Sequence, residues 1–490
     1  MPKEYFKVEN TTSLGILNSN AKIHVIGVCG VAMAQLAVLL SKNGFRVTGS
    51  DKEFYEPMGS LLKTSQIETF TGYKKENISA DVDLVVIGNA ISYGNPEVEA
   101  VEERNLAYTC FPKILAETVI ADKHSIVASG THGKSTTSAM IAYMLSKINL
   151  DPSFFIGGVT QDLELSLHSG KGKFSVVEGD EYDSAFFAKV PKFYFYKAKT
   201  CIINAIEYDH ADIYPNLDAI NAVFNSMVNS VPADGQVVCC LDYENIRNLL
   251  PVWKKTAICR FITFGEAADA DVRISAAQQT GLSQKVDVQS NEFGNFSFEL
   301  TVPGIFNAKN ALVGLITAKL INANFEDSKA ALKSFKGVKR RQQIRFENSK
   351  YILIEDFAHH PTAVRETINA LKAAFPEKKL VAVFEPRSNT SRRKVFQKEY
   401  VDAFSKADQV LLCNVTTKES DADQELLDVM TLTTEISKSK VPALCLEDAK
   451  AIEDYLMQNL SDQTVIVIMS NGSFGGLPQN LENRLNALTA

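Results

Sequence analysis

The sequence has few of the features that mark secreted or fibrous proteins. Its 490 residues include eight cysteines with no C-x-x-C spacing, which is too sparse for a disulfide scaffold. The N-terminus, MPKEYFKVENTTSLG, lacks the apolar segment of a secretory signal, and the chain has no internal repeat or low-complexity tail. We therefore expect a cytoplasmic protein whose thiols are reduced and mostly buried.

Long hydrophobic runs and strong basic charge are also missing. The longest apolar stretch, residues 23–40, contains His24, Gln35 and two glycines and breaks into strand, turn and helix, so we expect no membrane partner. A net charge of -7 argues against a nucleic-acid partner. Anionic ligands would have to be held by local clusters of lysine and arginine.

The patterning predicts an α/β protein of several domains. A chain of 490 residues is too long for one core, and its 45% hydrophobic content is that of a globular protein. Strand-like and helix-like runs alternate, which is typical of doubly wound parallel sheets. The C-terminal part contains four strand-like runs, YILIEDF, LVAVFEP, QVLLCNV and TVIVIMS. We place domains at residues 1–120, 121–336 and 337–490, with a β-rich stretch near 236–302.

A candidate phosphate-binding loop lies in residues 127–140, VASGTHGKSTTSAM. The pattern G-x-x-x-x-G-K-[ST] requires a glycine where this chain has Ala128. The loop still joins an apolar strand to a helix, so backbone N–H groups and a helix dipole would face one anion. Lys134 would contact phosphates and Ser135 would face Mg²⁺, unless the segment is only a glycine turn with a surface lysine.

A second glycine turn follows the first strand. Gly27 and Gly30 lie in GVCGVA, and Asp51 ends the next strand, where dinucleotide-binding folds place a ribose-binding acid. The G-x-G-x-x-G spacing is absent, which argues against a nicotinamide-dependent oxidoreductase. The turn instead favours a nucleotide whose phosphates lie near a helix N-terminus.

Acids and histidines follow three further strands. The carboxyl ends of parallel strands are where open α/β sheets bind ligands, and Mg²⁺ suits one or two carboxylates. Solvated acidic loops are the alternative, and we predict no zinc site at the adjacent histidines. The three groups are Glu178, Asp180, Glu181 and Asp183; Glu207, Asp209, His210 and Asp212; and Asp356, His359 and His360.

Two arginine-rich segments complete the candidate sites. Arg340 and Arg341 would stabilise a transferring phosphoryl group, or belong to a basic surface linker. The loop FEPRSNTSRRKV follows a strand and predicts recognition of a polar, zwitterionic ligand, with a plain polar loop as the alternative. Its candidate ligand-binding residues are Glu385, Arg387, Ser388, Asn389 and Thr390, and Arg392 and Arg393 follow them.

Taken in order, these segments resemble the Mur ligase family of peptidoglycan synthesis from about residue 22 to 480. The loop of that family is G-T-x-G-K-[ST], which GTHGKS matches residue for residue, so no glycine is needed at position 128. The resemblance implies a UDP-binding domain, a central P-loop ATPase-like domain and a C-terminal doubly wound domain. It also implies ATP-driven amide formation with Mg²⁺, through an acyl phosphate, releasing ADP and phosphate.

The resemblance carries roles onto matching positions. It implies catalytic roles for Lys134, His210, Arg341 and His359, of which His210 or His359 would be the base on the attacking amine. It implies ATP contacts from Gly130, Thr131, His132, Gly133, Lys134, Ser135, Thr136, Asn307, Asn310, Arg341 and Asp356. It implies UDP-sugar contacts from Gly27, Gly30, Asp51, Asn89 and Asn95. It implies metal contacts from Ser135, Glu178 and His210.

One departure narrows the subfamily. Several members carry a carbamylated lysine where this chain has Asn225, and residues 211–253 contain no lysine. The resemblance implies that the branch of the family that adds to unsubstituted UDP-N-acetylmuramate works without this carbamylated lysine. Within that branch, FEPRSNT and MSNGSFGGLPQNL resemble the recycling ligases that add the murein tripeptide L-alanyl-γ-D-glutamyl-meso-diaminopimelate; the alternative is a biosynthetic L-alanine ligase. The resemblance then implies peptide contacts from Glu385, Arg387, Ser388, Asn389 and Thr390. We expect a monomer or weak homo-oligomer, and a nucleotide-binding regulator is the alternative from another class.

Overall fold

The computed structural model describes residues 5–416 and 425–489, which form two compact units. Unit 1 contains the residues up to 159 together with 163–206 and 218–262. Unit 2 contains residues 160–162, 207–217 and those from 263 onward. The predicted domain boundaries near 120 and 336 fall inside these units and stay a prediction.

The first sheet of unit 1 is parallel and doubly wound. Its strands are β1 Lys22–Ile26, β2 Arg46–Asp51, β3 Glu68–Thr71, β4 Leu84–Ile87 and β5 Tyr108–Cys110. Its helices are α1 Val31–Lys42, α2 Met58–Thr64, α3 Pro96–Glu103 and α4 Phe111–Leu115, followed by a π-helical turn Ala116–Ile120. The strand order β3-β2-β1-β4-β5 reverses at β1, so the loops after β1 and β4 meet at one edge.

The second sheet of unit 1 positions the predicted phosphate loop. Its strands are β6 His124–Ser129, β7 Ser153–Phe155, β8 Leu167–His168, β9 Phe174–Gly179, β12 Thr200–Ile203 and β13 Gln236–Cys240. A hairpin of β10 Asp183–Ala185 and β11 Ala188–Pro191 follows β9. The order β13-β12-β6-β9-β7-β8 is parallel apart from β8, so the loops after β6, β9 and β12 share an edge. Helix α5 Lys134–Lys147 starts directly at that edge.

The prediction that residues 236–302 are β-rich was wrong for 244–256. These residues form helix α7, Glu244–Thr256. The preceding helix of the chain is α6, Leu217–Asn229. Ile246, Leu250 and Trp253 are its buried residues, four and three positions apart, which is the spacing of one helix face. Pro251 inside the helix hides that pattern from a reading of the sequence.

Unit 2 begins with the β-rich stretch that was predicted. Strand β14 Arg260–Gly265 runs into it, and β15 Val272–Thr280, β16 Ser283–Ser290 and β17 Phe296–Leu300 form an antiparallel meander. Two helices follow, α8 Ile305–Leu320 and α9 Phe325–Lys333. The long apolar run of α8 is buried around most of its circumference, which explains why its sequence lacks a polar face.

The C-terminal sheet of unit 2 confirms the four predicted strands. The strands are β18 Gln343–Glu347, β19 Tyr351–Asp356, β20 Lys379–Phe384, β21 Gln409–Cys413, β22 Ala443–Leu446 and β23 Thr464–Met469, in the order β18-β19-β23-β20-β21-β22. The helices are α10 Pro361–Ala374, α11 Gln397–Ala403, α12 Val429–Lys438, α13 Ala449–Asn459 and α14 Leu477–Thr489. Alternate residues of β20 enter two separate cores, Leu380 on one face and Val381 on the other.

The structure also describes the longest apolar stretch and the cysteines. Residues 23–40 fold as β1, a turn and α1, and among the described residues no helix is long and apolar enough to cross a membrane. No disulfide joins the eight cysteines in the described part of the chain, and six of them are buried.

The single tryptophan provides a stability test. Trp253 is fully buried, and its indole N–H donates to the Asn225 side-chain oxygen at 2.6 Å. Trp253→Phe should lower the free energy of unfolding by about 1–3 kcal/mol, because the Asn225 oxygen loses its donor and the ring leaves space. Urea unfolding followed by circular dichroism measures the change. Tyr194→Phe, at an exposed ring, should leave the midpoint unchanged; equal midpoints for both variants would contradict the expectation.

Candidate functional site

The predicted phosphate loop of unit 1 is a glycine turn held against β12. Gly130 has φ +123° and Gly133 has φ +82°, both in the region that favours glycine. A Cβ at Gly130 would lie 2.7 Å from the Ala205 carbonyl oxygen. The Thr131 N–H donates to that same oxygen at 2.8 Å. The turn therefore depends on both glycines, and its backbone leads directly into the N-terminus of α5.

Lys134 lies at the start of α5 and is mostly buried. Its ammonium donates to the Gly130 carbonyl oxygen at 2.7 Å and to the Glu181 carboxylate at 3.0 Å. Burial acts to lower the pKa of Lys134, but the carboxylates of Glu181 and Asp180 outweigh it, and the net pKa is raised. The loop thus holds a permanent positive charge whose partner is a protein carboxylate.

Ser135 and Glu178 form the oxygen-rich part of the loop. The Ser135 hydroxyl donates to Glu178 Oε2 at 3.0 Å, and the Gly157 N–H donates to Glu178 Oε1 at 2.5 Å. Burial, and next the Asp180 carboxylate, raise the pKa of Glu178 to about 7. A hydroxyl beside a carboxylate is a hard-oxygen donor set, so these two predicted metal contacts fit Mg²⁺.

A second buried lysine lies beside this group, and the sequence reasoning missed it. Lys192 follows the β10–β11 hairpin, and its ammonium pairs with the Asp180 carboxylate at 2.9 Å. It also donates to the Tyr182 hydroxyl at 3.2 Å, and burial raises the pKa of that tyrosine to about 12. The motif EGDEYD gave Asp180 no partner, because its partner comes from a hairpin twelve residues later.

Asn225, at the position where the resemblance led us to expect a lysine, has a structural role in this chain. Asn225 lies on α6, and its side-chain oxygen accepts the hydrogen bond from the indole of Trp253 on α7. The Asn225 backbone oxygen also accepts from the Asn229 side chain at 2.8 Å. Asn225 therefore joins two helices.

In the N-terminal turn, Asp51 bonds the glycine loop itself. Its carboxylate accepts from the Cys29 and Lys52 N–H groups, each at 2.7 Å, and from the Tyr73 hydroxyl at 3.1 Å. Gly27 has φ +80°, and Gly30 is the N-cap residue of α1. The predicted acid thus shapes the turn after β1 that would receive a nucleotide.

The two asparagines predicted for the same pocket differ in their surroundings. Asn89 is exposed in the turn after β4, and Asn95 caps α3 by accepting from the Glu97 N–H at 2.9 Å. Beneath them, the fully buried Glu97 lies 3.6 Å from His24 and accepts from the Ser50 hydroxyl. This network was not predicted, because its members are spread over three separate elements.

In unit 2, the two asparagines predicted to contact ATP are buried on α8. The Asn307 side chain donates to the Pro303 carbonyl oxygen at 2.8 Å and to the Gln342 side chain at 3.1 Å. The Asn310 side chain donates to Asn307 at 3.4 Å. Gln342 had no predicted role, yet it connects this helix to the arginine segment.

The arginine segment and Asp356 lie together. The Gln342 and Ala358 N–H groups donate to the Asp356 carboxylate at 2.7 Å and 2.6 Å. Burial raises the pKa of Asp356, and the Arg341 guanidinium acts in the opposite direction. Arg341 also lies over the Phe357 ring, 4.7 Å from its centre, which orients the guanidinium.

His210 and His359, both in unit 2, are linked through Asp209. His210 has φ +53°, and its N–H donates to Asp209 Oδ1 at 2.7 Å; Asp209 Oδ2 lies 3.9 Å from His359 Nε2. Burial acts to raise the pKa of Asp209, but the neighbouring histidines, led by His359, outweigh it, and the net pKa is lowered. Tyr400 fixes His359 from behind by donating to its carbonyl oxygen at 2.5 Å. Asp209 is an ionised acid to which the sequence gave no separate role.

The predicted peptide loop divides into two halves. In the first, the Glu385 carboxylate accepts from the Ser470 hydroxyl and lies 3.6 Å from the half-exposed Arg387. A Cβ at Gly472 would lie 2.2 Å from Arg387 Nε, so the side chain passes directly over that glycine.

The second half of the loop contacts other parts of unit 2. The Ser388 hydroxyl bonds Ser391 at 2.8 Å. The side chains of Asn389 and Thr390 bond Asp212 and the Ala211 N–H.

Profiles of known families match three successive parts of the chain. The Mur ligase family catalytic domain matches residues 22–123, the Mur ligase middle domain residues 128–318, and the Mur ligase glutamate ligase domain residues 340–472. Together they account for most of the length and fit the three α/β regions described above.

Full-length relatives are similar at about one residue in three. The UDP-N-acetylmuramate–L-alanyl-γ-D-glutamyl-meso-2,6-diaminoheptanedioate ligase of Escherichia coli is 33% identical, over 94% of this chain and 97% of its own. The UDP-N-acetylmuramate–L-alanine ligase of Geotalea uraniireducens is 31% identical, over 95% and 98%. The crystal structure of a murein peptide ligase from Psychrobacter arcticus has a TM-score of 0.69 and 30% identity, over 95% and 98%.

The Lys134–Glu181 pair leads to a prediction about nucleotide affinity. Phosphates must compete with the Glu181 carboxylate for the Lys134 ammonium, so Glu181→Gln should tighten ATP binding roughly threefold to tenfold. Isothermal titration calorimetry without Mg²⁺ measures this. Lys134→Ala should weaken binding and abolish turnover, while Lys147→Ala at the far end of α5 should change neither. Weaker ATP binding by Glu181→Gln would instead give that carboxylate a supporting role.

Proposed function

Because this chain belongs to the Mur ligase family of ATP-dependent, amide-forming ligases, we propose that it joins L-alanyl-γ-D-glutamyl-meso-diaminopimelate to UDP-N-acetylmuramate. The observation that carries the choice of acceptor is the segment after β20. There the half-exposed guanidinium of Arg387 lies against Gly472 beside the Glu385 carboxylate. A role in peptidoglycan recycling and a cytoplasmic location belong to the same proposal.

The first step would activate the lactyl carboxylate of the UDP-sugar. A carboxylate oxygen attacks the γ-phosphorus of ATP, the bond to the bridging oxygen breaks, and an acyl phosphate and ADP form. Lys134 would hold the phosphate oxygens by exchanging its bond to Glu181 for bonds to phosphate. Arg341, oriented by Phe357, would neutralise charge on the transferring group. Mg²⁺ held by Ser135 and Glu178 would supply further charge neutralisation.

The second step would form the amide bond. The neutral N-terminal amine attacks the acyl carbon, phosphate leaves, and the nitrogen gives up a proton. We assign that proton to His359 Nε2, because the ionised Asp209 carboxylate lies 3.9 Å away and would stabilise the imidazolium. His210 then has the predicted metal-associated role.

The identity of the acceptor has one well-supported alternative, which is L-alanine in place of the tripeptide. An L-alanine ligase relative is 31% identical, against 33% for the tripeptide ligase relative, so overall identity separates the two only weakly. Chemistry separates them better: the tripeptide carries several carboxylates and a distal amine, whereas alanine carries one carboxylate. A half-exposed arginine next to an acid is suited to the larger, zwitterionic ligand.

Phosphate release with different acceptors tests the proposal. The enzyme is supplied with ATP, Mg²⁺ and UDP-N-acetylmuramate, and then with tripeptide, L-alanine or no acceptor, and mass spectrometry identifies the product. We expect turnover and the amide product with the tripeptide and little with L-alanine. Turnover with L-alanine alone would make the chain a biosynthetic ligase, and no acceptor-dependent release would favour a nucleotide-binding regulator.

Arg387→Ala tests how the acceptor is held. Loss of a charge-assisted contact to a peptide carboxylate should raise the KM for the tripeptide roughly tenfold to a hundredfold, with little change in kcat. Lys394→Ala, at an exposed ion pair with Glu425, is the matched control and should leave both constants unchanged. An unchanged KM for the Arg387 variant would remove this side chain from peptide recognition.

A further inference from the structure

We infer that the second half of the predicted peptide loop does not read the peptide but positions the segment that carries His210. The residues concerned are Asn389, Thr390 and Arg393, and the segment is residues 209–214, called here the His210 turn. The inference rests on the proposed function for the reaction in which it is tested. It changes the role of two residues that the sequence assigned to peptide binding.

Three hydrogen bonds connect the loop to two consecutive residues of the turn. The Ala211 N–H donates to the Thr390 hydroxyl at 3.2 Å, and the Arg393 guanidinium donates to the Ala211 carbonyl oxygen at 2.8 Å. The Asn389 side-chain NH₂ donates to Asp212 Oδ2 at 3.0 Å. The loop therefore forms hydrogen bonds with both backbone polar groups of Ala211 and with one carboxylate oxygen of Asp212.

The His210 turn needs this support because it belongs to no helix or strand. His210 is held at φ +53°, a conformation that side-chain-bearing residues seldom adopt unless their surroundings impose it. Within the turn, the N–H groups of Ile213 and Tyr214 both donate to the His210 carbonyl oxygen. The loop fixes residues 211 and 212, which continue directly from the backbone that carries the His210 side chain.

The loop is anchored well enough to act as a support. The guanidinium of the buried Arg392 donates to the Thr416 carbonyl oxygen at 3.0 Å, and the Arg392 carbonyl oxygen accepts from the Leu427 N–H at 2.8 Å. The Lys394 N–H donates to the Glu425 carbonyl oxygen at 2.9 Å. A side chain that projects from such a scaffold can hold a neighbouring turn without first becoming ordered.

The two halves of the loop after β20 therefore have different roles. Glu385 and Arg387 are fixed separately, against Ser470 and Gly472, and remain available to an acceptor. Asn389 and Thr390 are engaged with the His210 turn. Removing the second set should slow the chemistry with any acceptor, whereas removing Arg387 should weaken the acceptor's binding.

Steady-state kinetics of matched variants tests this division. Asn389→Ala and Thr390→Val should each lower kcat roughly tenfold while the KM for the tripeptide stays within roughly twofold. Thr390→Ser keeps the hydroxyl and should restore kcat. Asn389→Ala combined with Asp212→Ala should be no slower than the slower single variant, because both remove the same bond. A raised KM at unchanged kcat, or additive losses, would overturn the inference.

Hydrogen–deuterium exchange gives a readout that does not depend on turnover. In Thr390→Val, amides of residues 210–214 should exchange faster than in the wild type, and those of β20 should not. Unchanged exchange in the turn would overturn the inference even if activity fell. If the wild type uses L-alanine in place of the tripeptide, the kcat losses should persist with L-alanine, and the proposed acceptor alone would be wrong.

Discussion

Charges buried at strand ends are the constraint on which this structure depends. Parallel strands bring their carboxyl ends to one edge, so residues that bind anions or metals collect where solvent is scarce, and each charge needs a partner. The structure supplies partners in pairs: Lys134 with Glu181, and Lys192 with Asp180. The glycine turn brings the Lys134 ammonium close to the Gly130 carbonyl oxygen. In the proposed reaction, substrate phosphates would replace Glu181 as the partner of Lys134, because the protein has already neutralised its own charges.

Sequence reasoning succeeded where one local segment contains the whole signal. A strand, a glycine turn and a helix start lie within residues 124–147, and their geometry follows from steric rules that each residue obeys alone. The buried strands of the C-terminal sheet contain unbroken apolar runs, such as LVAVF in β20 and VIVIM in β23, because helices cover both faces, and this made them recognisable. Helix α7 was missed because Pro251 contradicts a helical pattern that burial nonetheless imposes.

Partners supplied by distant segments could not be predicted. Lys192 has no unusual neighbours in sequence, and only the hairpin places it beside Asp180. Asn389 and Thr390 looked like ligand-binding residues for the same reason that they bond the His210 turn: a polar loop at a strand end has many hydrogen-bonding groups. Composition identifies a loop with many hydrogen-bonding groups, but the three-dimensional fold decides whether these groups bind a ligand or another part of the protein.

Asn225 stands at the position where the resemblance to Mur ligases led us to expect a lysine in several members. A lysine there would have to place a cation where the Trp253 indole N–H now needs an acceptor, and it would leave that buried donor without one. The exchange is therefore not a simple loss: the pair of Asn225 and Trp253 stabilises the contact between α6 and α7 in place of a charged group. The work of positioning charge then rests on groups already fixed at the strand ends. Glu178 is held by Ser135 and Gly157, and Lys134 by Glu181, and none of these contacts comes from α6.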